Sequence, residues 1–293
     1  MPKTTLHHLI TLCKPRVVML MVLTALIGMI LPLGHTEVTV STLTLCMAPI
    51  AIGLSACAGG AINQLIDQRV DALMARTENR PLPTGGISTR TGIVFTLCLV
   101  IASLTLLIVF TNPLCTLLTV SALIGYAGIY TLILKRLTPH NIVIGGLPGA
   151  MPPLLGWTAV TGSFSLDAWL LVMIIFTWTP PHFWALCIAR VEDYRSANIP
   201  MLPITHGIAY TKQQILLHTL MLMVITTLPL FTGLMHIPYL IAIIPLNSIF
   251  ILKISRLLGN NNTPPAMNAF YYSIQYLSYL FIAILIDHFI SLH

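Results

Sequence analysis

The chain predicts an all-α, polytopic membrane protein, a bundle of about nine transmembrane helices. Three observations point there: 56% of residues are hydrophobic, only 8% of 293 are charged, and apolar runs of similar length recur along the chain. A soluble domain carries about 25% charged residues, because water must solvate its surface. Lipid is therefore the solvent for most of this chain. No low-complexity or polar stretch interrupts the series, so residues 1–293 read as a single transmembrane domain.

A bilayer core about 30 Å thick needs about 20 apolar residues per helix. Such runs lie near 17–34, 43–63, 92–111, 113–134, 142–160, 168–189, 214–234, 237–256 and 269–290. Turn chemistry separates several of them, at Asn112-Pro113, Thr138-Pro139, Thr161-Gly162 and Thr263-Pro264-Pro265. The first run follows basic residues, but it lacks a small-residue cleavage site and many similar runs follow. It reads as a span and not as a secretory signal.

The charges then assign sides. Lys3, Lys14 and Arg16 precede span one, and Arg69, Arg76, Arg80 and Arg90 follow span two. Lys135 and Arg136 follow span four; Arg190, Arg195 and Lys212 follow span six; Lys253 and Arg256 close span eight. Together these are all 14 lysines and arginines, and nine alternating helices put every one on the same face. The opposite loops hold Glu37, Asp167 and Asp287. The positive-inside rule places the N-terminus and the even-numbered exits in the cytoplasm and the C-terminus outside. It also accounts for the net charge of +6 without a nucleic-acid partner. The six cysteines show no metal-type spacing and mostly lie in apolar runs, so neither a disulfide nor a zinc site is expected.

Five of the eight acids gather in two places on that basic face: Asp67, Asp71 and Glu78 after span two, Glu192 and Asp193 after span six. Asn63, Asp67 and Asp71 are spaced by four, which on a helix forms one stripe of roughly 12 Å. Two carboxylates and an amide suit Mg2+, a hard cation that keeps waters and shares itself with substrate phosphates. The plainer reading is a solvated helix end, with Arg69 as local counter-charge. Against it stands the cost of placing Asn63 at the membrane edge. Arg76 and Arg80 follow closely, before Pro81-Leu82-Pro83-Thr84-Gly85-Gly86. A guanidinium fork matches phosphate oxygens, so a diphosphate leaving group fits this loop. Setting topology alone is the plainer role for these arginines.

Span six carries Thr177-Trp178-Thr179-Pro180-Pro181-His182-Phe183-Trp184. Two prolines inside an apolar run leave backbone carbonyls unpaired, which predicts a broken helix lined by aromatics and one imidazole. His182 is then either a ligand contact or a packed histidine bonded to a carbonyl. Glu192 and Asp193 either hold a second Mg2+ or pair with Arg190 and Arg195.

These residues together resemble the intramembrane aromatic prenyltransferase superfamily, whose members have nine helices around a central cavity and acidic loops after helices two and six. Asn63, Asp67 and Asp71 match its NxxxDxxxD pattern. Within it, the chain is similar to the haem-farnesylating branch, through Lys14-Pro15-Arg16-Val17, Asp71 to Thr77, Arg80-Pro81-Leu82-Pro83 and Lys135-Arg136 with Thr138-Pro139. Asn141 to Gly146, Pro152-Pro153-Leu154, Gly156-Trp157, His182 to Leu186 and Asp193-Tyr194 through Pro203 extend the likeness. It runs from about residue 12 to 207. One departure stands out: the wider superfamily has DxxxD in its second loop, and here Ala189 sits four before Asp193.

The resemblance implies transfer of a farnesyl group from farnesyl diphosphate to a vinyl group of haem b, with Mg2+ as cofactor. It implies catalytic roles for Asp67, Asp71, Arg76, Arg80 and Asp193, and metal ligation by Asn63, Asp67, Asp71, Glu192 and Asp193. Arg16, Asn63, Trp178, His182, Tyr194 and Arg195 become substrate contacts, with Trp178 and His182 on the haem side. A bacterial inner membrane is the expected location. A haem A synthase or a terminal oxidase assembly is a possible protein partner. Two other functions stay open: a sister prenyltransferase acting on a phenolic or chlorophyll-like acceptor, and a transporter. Acids at the exits on one side, not within spans, disfavour transport.

Overall fold

Lipid offers no partner for backbone N–H and C=O groups, so each long apolar run must close its own hydrogen bonds as a helix. The computed structural model describes residues 4–34, 39–259 and 263–291, so Lys3 and Glu37 lie outside the described residues. Among the described residues, nine helical segments are long and apolar enough to cross a membrane: Pro15–Leu33, Thr42–Asp71, Thr89–Phe110, Pro113–Leu137, Asn141–Thr161, Leu166–Ala189, Gly207–Phe231, Ile237–Leu258 and Pro264–Ser291. The chain is a multi-pass membrane protein.

Starts follow the caps. Ser41, Ser88, Asn112 and Ser165 each accept a backbone N–H from the first turn of spans two, three, four and six. Gly162 ends span five in the left-handed region, φ 66°. Asp287 caps across the bundle: it sits in span nine, fully buried, and accepts the backbone N–H groups of His236 and Tyr239 at the start of span eight, at 3.0 and 2.9 Å.

Several ends differ from the hydropathy reading. Span two runs on to Asp71, eight residues past its apolar segment, so the acidic motif rides on a helix and not in a loop. Span seven starts at Gly207, not 214, and span nine at Pro264, not 269. Hydropathy reports the depth of lipid; backbone hydrogen bonding carries a helix past it.

The predicted break in span six is corrected. Leu166–Ala189 is one continuous helix through Pro180 and Pro181. Proline holds φ near the helical value, and the lost hydrogen bonds cost about 3 kcal/mol or more at each. Burial of this span against spans seven and nine offsets that cost. The interruptions lie elsewhere. Span four turns π-helical over Gly125–Leu134, and span five is two short helices meeting at Met151, before Pro152-Pro153.

Spans one and five touch backbone to backbone. A Cβ at Gly28 would lie 2.0 Å from the Pro153 carbonyl oxygen, and one at Gly156 only 1.9 Å from that of Ala25. Small residues permit such close crossings in membranes. This contact brings span one, with Lys14 and Arg16 at its start, against the centre of the bundle.

Candidate active site

The acidic stripe faces inward. Asn63, Asp67 and Asp71 are buried, at 6%, 1% and 3% exposure, and all three line one cavity of about 610 Å3. Two carboxylates in so little water need compensation. Lys135, from the end of span four, places its ammonium 2.5 Å from Asp67 Oδ2, and Arg80 places its guanidinium 2.5 Å from Asp71 Oδ2. Asn63 donates its amide to Asp67 Oδ2 at 2.9 Å and accepts from Lys14 Nζ at 2.6 Å. Asp67 Oδ1 is buried without a hydrogen-bond partner.

Local structure aims these groups. The loop after span two folds back onto its helix. Thr77 donates its hydroxyl to the Asp71 carbonyl at 2.9 Å, and Gln68 donates to the Leu82 carbonyl at 3.3 Å. That return swings Arg80 onto Asp71. Lys14 joins the short helix Thr5–Leu12 to span one in a left-handed conformation, φ 52°, which a non-glycine residue adopts only under constraint. Gln64 supplies part of that constraint, donating to the Leu12 carbonyl at 3.0 Å. Burial, with Arg80 and Lys135 nearby, pushes the Lys14 ammonium down to about 7.

Arg16 and Arg76 complete this end, so five cations and two carboxylates meet there. Positive charge is in excess, and an anion is what would balance it. Beyond the charged end the walls turn apolar and aromatic. The π-helical part of span four presents Tyr126 and Tyr130, stacked at 5.5 Å. Tyr130 lies so close over Gly145 that a Cβ there would sit 2.0 Å from its ring. Trp178, Thr179, His182 and Phe183 of span six and Tyr194 also line it.

The second loop divides. Tyr194 lines the cavity; burial pushes its phenol up, with the Arg76 guanidinium partly opposing the rise and Asp193 adding to it. Ser196 donates to the Leu73 carbonyl at 3.4 Å, tying the two loops together. Asp193 does not line the cavity but holds Oδ2 buried and unpartnered. Glu192 and Arg195 lie outside, paired with each other, at 75% and 57% side-chain exposure. Among the described residues no three His, Cys, Asp or Glu side chains cluster to bind a metal. Lys14, Lys135, Tyr126 and Tyr130 were not expected in the site. The lysines read as topology charges, and partners 49 and 68 residues away leave no spacing signal.

Residues 21–280 match the model of the UbiA prenyltransferase family. The chain belongs to that family. Among its UbiA relatives, the protoheme IX farnesyltransferase of Azotobacter vinelandii is 48% identical over 290 residues, covering 99% of this chain and 96% of that one. The protoheme IX farnesyltransferase of Marinobacter nauticus is 50% identical over 280 residues, covering 95% and 91%. The UbiA fold is also seen in a structure of digeranylgeranylglyceryl phosphate synthase, at 19% identity and TM-score 0.79, covering 97% of this chain and 98% of that one. A UbiA homologue from Archaeoglobus fulgidus bound to DMAPP and Mg2+ matches at 15% identity and TM-score 0.66, covering 94% and 98%.

Proposed function

We propose that the chain transfers a farnesyl group from farnesyl diphosphate to a vinyl group of haem b, yielding haem O and diphosphate. One observation carries the chemistry: a single cavity holds two buried carboxylates among five cations at one end and apolar, aromatic walls beyond. That division matches a donor with a trianionic head and an isoprenoid tail. The names of near full-length relatives support haem as acceptor.

The residues fit Mg2+. The donor set is hard oxygen, and Asp67 Oδ1 is a buried oxygen with no hydrogen-bond partner. Asn63, Asp67 and Asp71 would hold the ion, leaving other positions for water and phosphate. When bound, Mg2+ supplies positive charge to the oxygens of the departing diphosphate. A UbiA homologue from Archaeoglobus fulgidus is bound to both DMAPP and Mg2+.

The chain's own groups do the rest. Arg80, Arg76, Arg16, Lys14 and Lys135 bind the diphosphate and stabilise the charge that grows as the C–O bond breaks and its electron pair leaves with phosphate. The allylic cation left behind must be kept from water, and Tyr126 and Tyr130 present π-faces suited to it. The terminal vinyl carbon of haem bonds to C1 of the farnesyl group. Water captures the resulting cation and loses a proton, giving the hydroxyethylfarnesyl substituent. Asp193 adjoins Tyr194 with one buried, unpartnered oxygen, and would act through the placement of that ring. The positive-inside rule puts this charged end at the cytoplasmic face of a bacterial inner membrane, with the C-terminus outside. A haem A synthase or terminal oxidase assembly is the expected recipient of the product.

Mass spectrometry of haems from cells with and without the protein tests the reading. A farnesylated haem should appear only with the active chain. Cells that express it and contain no such haem would shift the acceptor to a phenolic or chlorophyll-like compound.

A further inference from the structure

Span six holds an imidazole in one tautomer in the wall of the cavity. His182 Nδ1 lies 2.7 Å from Ser273 Oγ, and Ser273 Oγ donates its proton to the Phe270 carbonyl at 2.6 Å. A hydroxyl has one proton, so its oxygen must accept from Nδ1–H. In the neutral ring the tautomer follows: Nδ1 is protonated and Nε2 carries a bare lone pair. No partner holds Nε2 among the described residues, and His182 lines the cavity.

The ring itself cannot turn. Trp178 stacks on one face at 4.3 Å and Phe270 on the other at 4.6 Å, with interplanar angles of 18° and 25°. Trp178 is fixed in turn, donating Nε1–H to the Ser273 carbonyl at 2.7 Å. Ser273 thus orients both rings from span nine. A neutral imidazole with Nδ1–H bound to a second-shell oxygen and Nε2 free is the arrangement of a metal-ligating histidine.

We propose that His182 Nε2 is an axial ligand to the iron of the porphyrin acceptor, with Ser273 as the residue that positions it. This rests on haem b being the acceptor. Iron accepts such a nitrogen axially, so the bond fixes the depth of the macrocycle. His182 lies seven residues before Ala189, roughly 10 Å of helix rise inside the end where the acids lie. Coordination therefore holds the porphyrin close enough to the charged end for a peripheral vinyl to reach the farnesyl carbon. It also selects a metalloporphyrin over the metal-free macrocycle, which the aromatic walls alone would not distinguish.

The test uses the full chain in lipid nanodiscs, titrated with ferric haem b and with metal-free protoporphyrin IX. Wild type should give a histidine-ligated haem in absorption and electron paramagnetic resonance, and should bind haem about tenfold or more tighter than the metal-free ring. His182→Ala should change the haem spectrum and abolish that preference; added imidazole should restore the spectrum. Ser273→Ala should keep ligation but shift the iron–histidine stretching band in the ferrous form. An unchanged spectrum in His182→Ala overturns the ligation. Equal binding of the two porphyrins by wild type overturns it without any variant, so a poorly inserting mutant does not block the decision. Wild type that binds neither porphyrin would instead remove haem as the acceptor.

Discussion

The two acidic segments share a face of the membrane in sequence and differ in space. Asp67 and Asp71 are almost fully buried, face the cavity and pair with Lys135 of span four and with Arg80 of the loop that folds back. Glu192 is exposed, lies outside the cavity and pairs with Arg195 three residues on. A surface pair of that kind is worth about 0–1 kcal/mol, whereas breaking a buried pair costs about 3–5 kcal/mol because a charge is stranded. Burial, not composition, separates a site from a solvated helix end. Asp193 stands between them, half-buried with one orphan oxygen.

Mutations can break that contrast. The largest effect is expected at the buried pair: Asp67→Ala or Asp71→Ala should cut haem O formation at least about 10³-fold while the protein still inserts, as judged by membrane yield and product mass spectrometry. Arg80→Ala, which strands Asp71, should lower kcat/KM by about 10²-fold, mostly through KM for farnesyl diphosphate; titrating that substrate in steady-state assays checks it. Asp193→Asn should cost about tenfold, through the positioning of Tyr194, and a KM effect confined to one substrate would sharpen the intermediate placement. Glu192→Ala and Arg195→Ala should change turnover by no more than about twofold. Losses there as large as at Asp67 would erase the distinction between the segments.

Much of this is legible in the sequence. Composition and run length give the nine helices, and the spacing of Asn63, Asp67 and Asp71 gives the inward stripe, because both are local and periodic. Lys135 on Asp67 was not legible, since a lysine after span four carries the same signal whether it sets topology or closes a site. Span six misled for a related reason. Pro180-Pro181 announces lost hydrogen bonds, but whether the helix breaks depends on the packing of spans seven and nine around it. The role of Ser273 was hidden too, because its meaning lies in a hydrogen bond to a residue 91 positions away.

The buried carboxylates can be interrogated without turnover. Isothermal titration of a non-ionisable farnesyl diphosphate analogue into the nanodisc-embedded chain, with and without Mg2+, measures whether they join metal to phosphate. Binding that requires Mg2+ in wild type and loses that requirement in Asp67→Asn and Asp71→Asn is the predicted result. Mg2+-dependent binding of equal strength in all three proteins would contradict it.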